Sequence, residues 1–222
     1  MDCYCISGLG ADHRLFSRLN LPGGLCLRDL PWLPNEPNET IAHYAGRMKA
    51  AIQQDNPILL GVSFGGMMAI EIAKLYPFAT VILISSIRNH RQRPTWMTLC
   101  GRLNLQRLLA KVNPPRKGAL RNGLAPLEYY FQGIETSEDA VLYADFRNHI
   151  DFGFTRWAIG EILRWKNEWT PASIYHLQGG RDRIFPLSPQ SVTKSLPDGG
   201  HFMVYNRAEW VSRELAAIIS AL

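Results

Sequence analysis

The chain has 222 residues, of which 46% are hydrophobic and 19% are charged, and its formal net charge is +5. This composition is typical of a globular protein large enough for one α/β domain with a buried core, and it excludes a largely disordered chain. No run of about 18 apolar residues predicts a membrane span, and no basic segment followed by an apolar run predicts a secretory signal, so we expect a cytoplasmic protein.

Strands and helices alternate along the first part of the chain. Short apolar runs predict strands over residues 3–6, 25–28, 57–60 and 80–84. Helical spacing predicts one helix that Thr40 caps and that reaches Ile52, and a second helix over residues 67–73. The last of these strands is almost wholly apolar, which is typical of a strand buried on both faces of a parallel sheet.

The alternation resumes after a long helical stretch. Residues 88–149 contain no convincing strand, and helices are predicted near residues 99–112, 127–131 and 137–146. The remainder predicts helices over 152–165 and 209–222 and strands over 173–177 and 191–196. This pattern predicts an α/β fold, a doubly wound and mostly parallel sheet of about six strands. Residues 1–87 and 150–222 would form its core, with residues 88–149 as a helical insertion.

Charge and cysteine distribution narrow the classes of partner. Nine Lys or Arg residues and no Asp or Glu lie between Arg88 and Arg121. Such a run can attract an anionic substrate or carrier, although a solvated helix face is the commoner interpretation. No nucleic-acid-binding motif accompanies the charge, so we expect no nucleic-acid partner. The four cysteines lack metal-ligand spacing, which predicts reduced thiols and no metal site; they are Cys3, Cys5, Cys26 and Cys100.

The pentapeptide Gly61-Val62-Ser63-Phe64-Gly65 lies between a predicted strand and a predicted helix. A G-x-S-x-G match in this context predicts a nucleophile elbow, in which the serine occupies a sharp, strained turn. Small neighbours make room for that backbone geometry. The helix that follows directs its N-terminal N–H groups toward developing negative charge. Ser63 is therefore the candidate nucleophile.

A serine hydroxyl needs a base within hydrogen-bond reach, and the base needs an acid to orient it. Of six histidines, His201 is the best candidate, because it follows two glycines that leave its ring room to reach a neighbouring site. The alternative is a turn histidine without a catalytic role. His176 lies inside a predicted strand, where a core histidine is usual.

The acid candidate is Asp182, which lies in a loop just beyond the strand over residues 173–177. Open α/β sheets place their sites at this edge, beyond the carboxyl ends of the strands. The alternative is a surface aspartate paired with Arg181 or Arg183. Asp198 is nearer to the histidine in sequence but has the context of a turn former.

Ser63, Asp182 and His201 follow one another in the nucleophile–acid–base order of the α/β-hydrolases. Four short motifs carry the match: Ser7-Gly8-Leu9-Gly10, Gly61-Val62-Ser63-Phe64-Gly65-Gly66, Gly180-Arg181-Asp182-Arg183-Ile184-Phe185-Pro186 and Gly199-Gly200-His201-Phe202. On these residues the sequence resembles the α/β-hydrolase superfamily over nearly its whole length.

The resemblance implies an oxyanion hole made by the backbone N–H groups of Leu9 and Phe64, and no metal or organic cofactor. It also implies that residues 88–149 form a lid. The chain departs from the family pattern in having Ser7 where histidine is frequent. It also begins at Met1 without room for the usual N-terminal hairpin. The short stretch between acid and histidine is expected to lack the usual helix.

The activity that the resemblance implies is a serine hydrolase, which cleaves a carboxylic ester or thioester of a small to medium acyl substrate through an acyl-enzyme. The substrate would be a small molecule, anionic or carrier-bound if the basic segment takes part. Trp96, Met97, Tyr130 and Phe202 are candidates for its pocket, the alternative for the lid residues being structural packing. Two other functions stay open: a C–C bond hydrolase or lyase with the same triad, and a non-catalytic binding protein.

Overall fold

The computed structural model describes residues 2–21, 25–103 and 119–222, with side chains in the last range described from residue 123. The C-terminal part of the helix predicted near residues 99–112 lies outside these ranges, as do four of the nine basic residues. No helix in the described ranges is long and apolar enough to cross a membrane.

Six strands form one parallel sheet: β1 (Asp2–Ile6), β2 (Cys26–Asp29), β3 (Ile58–Val62), β4 (Thr80–Ile84), β5 (Ser173–Gly179) and β6 (Lys194–Leu196). Their order across the sheet is β2-β1-β3-β4-β5-β6, and each neighbouring pair is parallel. The order reverses direction beside β1, which is the mark of a doubly wound sheet. The predicted fold class is therefore confirmed.

The described helices are α1 (Ile41–Lys49), α2 (Phe64–Ala73), α3 (Thr95–Arg102), α4 (Ala119–Gln132), α5 (Ser137–Asn148), α6 (Phe152–Arg164), α7 (Met203–Asn206) and α8 (Ala208–Ser220). Thr40 caps α1 as predicted, because its hydroxyl accepts a hydrogen bond from the His43 N–H at 3.2 Å. No strand lies in the described parts of residues 88–149, and no helix lies between Asp182 and His201. The division into core and insertion stays a prediction.

Alternate residues of the central strands face two separate hydrophobic clusters. Leu59 and Leu83 belong to a cluster completed by α1, α2 and α6. Leu60 and Ile82 belong to a second cluster, which α8 completes on the other face. Because both faces of β3 and β4 are covered, their carboxyl ends are held on a rigid support.

Candidate active site

Ser63 occupies the turn between β3 and α2 with a φ of 55°, one of three positive values among the described non-glycine residues. β3 and α2 approach so closely here that a side chain at Gly61 would collide with the backbone of Gly65, so glycine is required. The Ser63 N–H donates to Ile84 O at 3.0 Å, and Ser86 Oγ donates to Ser63 O at 2.7 Å. The strained turn is thus held by the end of β4.

The structure brings Ser63, His201 and Asp182 together from three loops at the carboxyl edge of the sheet. Ser63 Oγ lies 2.9 Å from His201 Nε2, and His201 Nδ1 lies 2.8 Å from Asp182 Oδ2. The imidazole and the carboxylate are both buried. Nδ1–H therefore donates to the carboxylate, which leaves Nε2 to accept the serine proton.

Four donors hold the Asp182 carboxylate in one orientation. Oδ1 accepts from the N–H groups of Ile184 and Phe185, each at 2.9 Å. Oδ2 accepts from Gln178 Nε2 at 2.9 Å in addition to His201. This environment differs from that of a surface aspartate, the alternative that the sequence left open.

The loop after β1 runs beside the nucleophile. A side chain at Gly8 would lie 3.5 Å from Ser63 Cβ. Ser7 Oγ donates to Ala11 O at 2.8 Å and accepts from Trp32 Nε1 at 3.2 Å, so this serine braces the loop from within.

Leu9 and Phe64, the two residues predicted to supply oxyanion donors, flank this part of the site. Leu9 belongs to the loop after β1, and Phe64 is the first residue of α2. Among the described residues, neither backbone N–H donates a hydrogen bond to another group. Their role as oxyanion donors stays a prediction.

A cavity of about 210 Å³ opens onto Ser63 and His201. Its wall is largely apolar and includes Leu9, Leu15, Met97, Tyr143, Phe146 and Phe202. Apolar lining with a few convergent polar groups is typical of a small-molecule site.

Two of the four predicted pocket residues, Met97 and Phe202, line this cavity, whereas Trp96 and Tyr130 do not. Trp96 is 55% exposed because consecutive residues of a helix point about 100° apart, and Met97 takes the inward direction on α3. Tyr130 is 56% exposed, and the guanidinium of Arg183 lies 3.9 Å from the centre of its ring. Both placements correct the prediction.

The prediction missed the contribution of α5, which supplies Tyr143, Phe146 and Arg147 to the wall, with Ile150 just beyond it. These residues recur at i, i+3, i+4 and i+7, the spacing of one helix face. Arg147 pairs with Glu128, with Nη2 and Oε1 3.2 Å apart. The spacing could have revealed that these residues share one face of α5, although it does not show that this face lines the cavity.

In the described start of the basic segment, Arg91 and Arg93 contact residues that lie outside it. Arg91 pairs with Glu168 at 2.9 Å, and Arg93 donates to backbone carbonyls at the end of α6, including Ile162 O at 2.7 Å. Burial lowers the pKa of both Arg88 and Arg93. Arg93 thus connects the segment to α6, whereas the Arg91 side chain is 75% exposed.

Within the described ranges, one group of side chains outside this site has the spacing of metal ligands. Glu36, Glu39 and His43 place a ligand atom each within 4.8 Å of one another. The Arg47 guanidinium already occupies the carboxylates, at 3.4 Å from Glu36 and 3.0 Å from Glu39. These ion pairs account for the cluster without a metal ion.

Comparison with known proteins assigns the chain to a family. A sequence model described as "Alpha/beta hydrolase family" matches residues 4–214. The chain belongs to the alpha/beta hydrolase family. It is accordingly a hydrolase, as the sequence predicted. A comparison with curated proteins gives no match.

Solved structures of this family share the fold over nearly the whole chain. A thermophilic esterase from Thermogutta terrifontis, in a malate-bound structure, has a TM-score of 0.69 at 15% identity, covering 100% of this chain and 90% of the esterase. A lipase-esterase related protein from Clostridium acetobutylicum has a TM-score of 0.64 at 15% identity, covering 98% and 93%. At such identities the likeness shows the fold alone.

Proposed function

We propose that this hydrolase cleaves a carboxylic ester or thioester of a small to medium acyl group, with Ser63, His201 and Asp182 as its catalytic triad. The observation that carries the proposal is the unbroken hydrogen-bond chain from Ser63 Oγ to Asp182 Oδ2, which begins at the mouth of an apolar cavity. A nucleophile, a base and an orienting acid at these distances suit acyl transfer.

In the first step, Ser63 Oγ attacks the carbonyl carbon while His201 Nε2 takes its proton. Asp182 orients the imidazole through Nδ1–H and stabilises the imidazolium that forms. The carbonyl oxygen becomes an oxyanion that accepts hydrogen bonds from the N–H groups of Leu9 and Phe64. Loss of one such donor typically costs about 3–4 kcal/mol of transition-state stabilisation.

In the second step, the tetrahedral intermediate collapses and the bond to the leaving group breaks. The imidazolium of His201 gives its proton to the departing alcohol or thiol, which leaves the acyl group on Ser63. Water then attacks the acyl-enzyme with His201 as base, and collapse of the second intermediate releases the carboxylic acid and restores the serine.

The cavity supports an acyl group of limited size. At about 210 Å³ it lies below the range of roughly 300–1,000 Å³ that is usual for drug-sized ligands. Among the described lining residues, Arg147 has the one permanently cationic side chain, and its pairing with Glu128 compensates its charge. An uncharged acyl chain therefore suits the described wall better than an anionic one. The carrier-bound alternative and the cytoplasmic location stay predictions.

Labelling with a fluorophosphonate tests the proposal directly. We expect the wild-type protein to be labelled on one residue, which peptide mapping identifies as Ser63, and Ser63→Ala to remain unlabelled. Ester and thioester panels of increasing acyl length then define the substrate. A folded wild-type protein that is neither labelled nor active on any ester would contradict the proposal. Turnover of a β-diketone alone would favour the C–C hydrolase, and binding without turnover the non-catalytic protein.

A further inference from the structure

The buried hydrogen-bond chain continues beyond Asp182 into β5. Gln178 and His176 are 1% and 2% exposed and lie two residues apart, so their side chains project from the same face of the strand. Gln178 Nε2 lies 2.9 Å from Asp182 Oδ2, and Gln178 Oε1 lies 2.9 Å from His176 Nε2. Five side chains are thus connected in one series from Ser63 to His176.

The neighbours of Gln178 determine which way its amide points. Nε2 also lies 2.7 Å from Phe185 O, so each of the two amide hydrogens has an acceptor. The reverse orientation would place the amide oxygen against two acceptors. Oε1 must therefore accept a hydrogen bond, and His176 must carry its proton on Nε2 to supply one.

The buried position of His176 favours the neutral form of its imidazole. Burial lowers the pKa of His176 to about 4, an effect that the hydrogen bond to Gln178 opposes and the charge of Arg88 increases. Its Nδ1 has no hydrogen-bond partner among the described residues, although backbone groups of Ser86 and Ser191 near the ring also oppose the lowering of the pKa. At neutral pH the ring is therefore an uncharged donor, which suits the amide oxygen that it faces.

The Gln178 amide contacts the same carboxylate oxygen of Asp182 that orients His201. It donates to Asp182 Oδ2, which also accepts from His201 Nδ1. The second amide hydrogen of Gln178 donates to Phe185 O, three residues beyond Asp182 in the chain. One side chain thus fastens both ends of the acid loop, residues 182–185, to the rigid strand β5.

We propose that Gln178 is a positioning residue for Asp182: its amide holds Oδ2 in line with His201, and His176 keeps that amide in its donating orientation. The kinetic part of this proposal rests on the proposed function. Burying two polar side chains in the sheet costs free energy unless every hydrogen bond is made. A leucine-like residue would fill the space without that cost, as Leu177 does on the opposite face.

Gln178→Met tests the proposal, because methionine has a similar length and no hydrogen to donate. We expect kcat for the best ester to fall about 10- to 100-fold, with KM within about twofold, since the acid is displaced while the cavity is unchanged. The control is Leu177→Met, a change of the adjacent buried residue, which should keep kcat. Equal losses in both variants, or none in Gln178→Met, would overturn the proposal.

Gln178→Glu adds a pH signature that a packing role would not produce. Burial and the neighbouring Asp182 raise the pKa of the introduced carboxyl above its usual range. Below that pKa its O–H donates to Asp182 Oδ2, and above it two carboxylates face each other. We expect kcat near the wild-type value at the acid end of the activity range and a deficit that grows with pH, with folding checked by circular dichroism throughout. A deficit independent of pH would contradict the proposal.

A readout without substrate separates this proposal from the proposed function. The downfield proton signal of His201 Nδ1–H, assigned by its loss in His201→Gln, should shift or broaden in Gln178→Met and stay in place in Leu177→Met. An unlabelled wild-type protein would remove the proposed function, yet this signal would still decide the role of Gln178. If Gln178→Met does not fold, Gln178→Glu at low pH and at high pH supplies the same comparison, and a signal unchanged between them overturns the proposal.

Discussion

Two regions meet at the cavity and are built differently. In the sheet edge, meaning the loops after β3, β5 and β6, buried hydrogen bonds join Ser63, His201 and Asp182 to one another and to β5. The helical cover, meaning α3, α4 and α5, meets it across the cavity. That cover leaves large apolar side chains in water, including Trp96, Leu127 and Val141.

This difference separates chemistry from substrate selection. The sheet edge fixes atoms to within hydrogen-bond tolerance because the loops after β3 and β5 follow buried strand ends. The loop after β6 is held to the loop after β5, where the Arg181 N–H donates to Gly199 O at 2.9 Å. The helical cover contributes Met97, Tyr143 and Phe146 to the wall by packing alone. Changes at the sheet edge should therefore abolish turnover, and changes in the cover should alter which substrate is used.

Removal of the nucleophile should give the largest effect. Ser63→Ala takes away the oxygen that attacks the substrate, and we expect kcat to fall at least about 10⁴-fold. The measurement is hydrolysis of the best ester, together with circular dichroism to show an unchanged fold. Ser195→Ala changes an exposed serine on β6 and serves as the control. Equal activity of Ser63→Ala and wild type would contradict the assignment of Ser63 as the nucleophile and of the chemistry to the sheet edge.

Acid should destabilise the sheet edge through His176. The unfolded imidazole takes up a proton near pH 6.5 and the folded one near 4, so the unfolded state binds more protons between these values and stability falls as pH falls. The full loss corresponds to about 3 kcal/mol in the free energy of unfolding. Urea unfolding between pH 7 and pH 4 measures it.

The matched variants for this effect are His176→Leu and His149→Asn. The first removes the buried imidazole and should flatten the dependence of unfolding free energy on pH, although it lowers stability at pH 7. The second changes an exposed histidine and should retain the wild-type slope. A wild-type slope in His176→Leu would show that another group is responsible.

The smallest expected effect concerns selectivity at the helical cover. Met97→Ala enlarges the cavity, so we expect kcat/KM for longer acyl esters, relative to acetate esters, to rise about 3- to 10-fold. Trp96→Ala, a change of the exposed neighbour, should leave this ratio unchanged. Acyl-length profiles of the three proteins make the measurement. A larger change in Trp96→Ala would mean that substrates contact the outer surface of the cover.

Much of the fold follows from local patterns. The strand over residues 80–84 has the predicted bounds because an unbroken apolar run of that length suits only a buried strand in this context. Helix α2 begins three residues earlier than predicted, directly after Ser63. Its first turn consists of Phe64, Gly65 and Gly66, and helical periodicity does not register glycines.

The candidate site also has a part that the sequence predicts and a part that only the structure shows. The sequence by itself determined that Ser63, Asp182 and His201 are the candidates, because strand ends and glycine turns place them at one edge of a parallel sheet. Only the tertiary structure decided that Trp96 faces water, that α5 lines the cavity and that His176 is joined to Asp182 through Gln178. The first two facts depend on how a helix is rotated about its axis, and the third depends on how the loop after β5 turns back toward that strand.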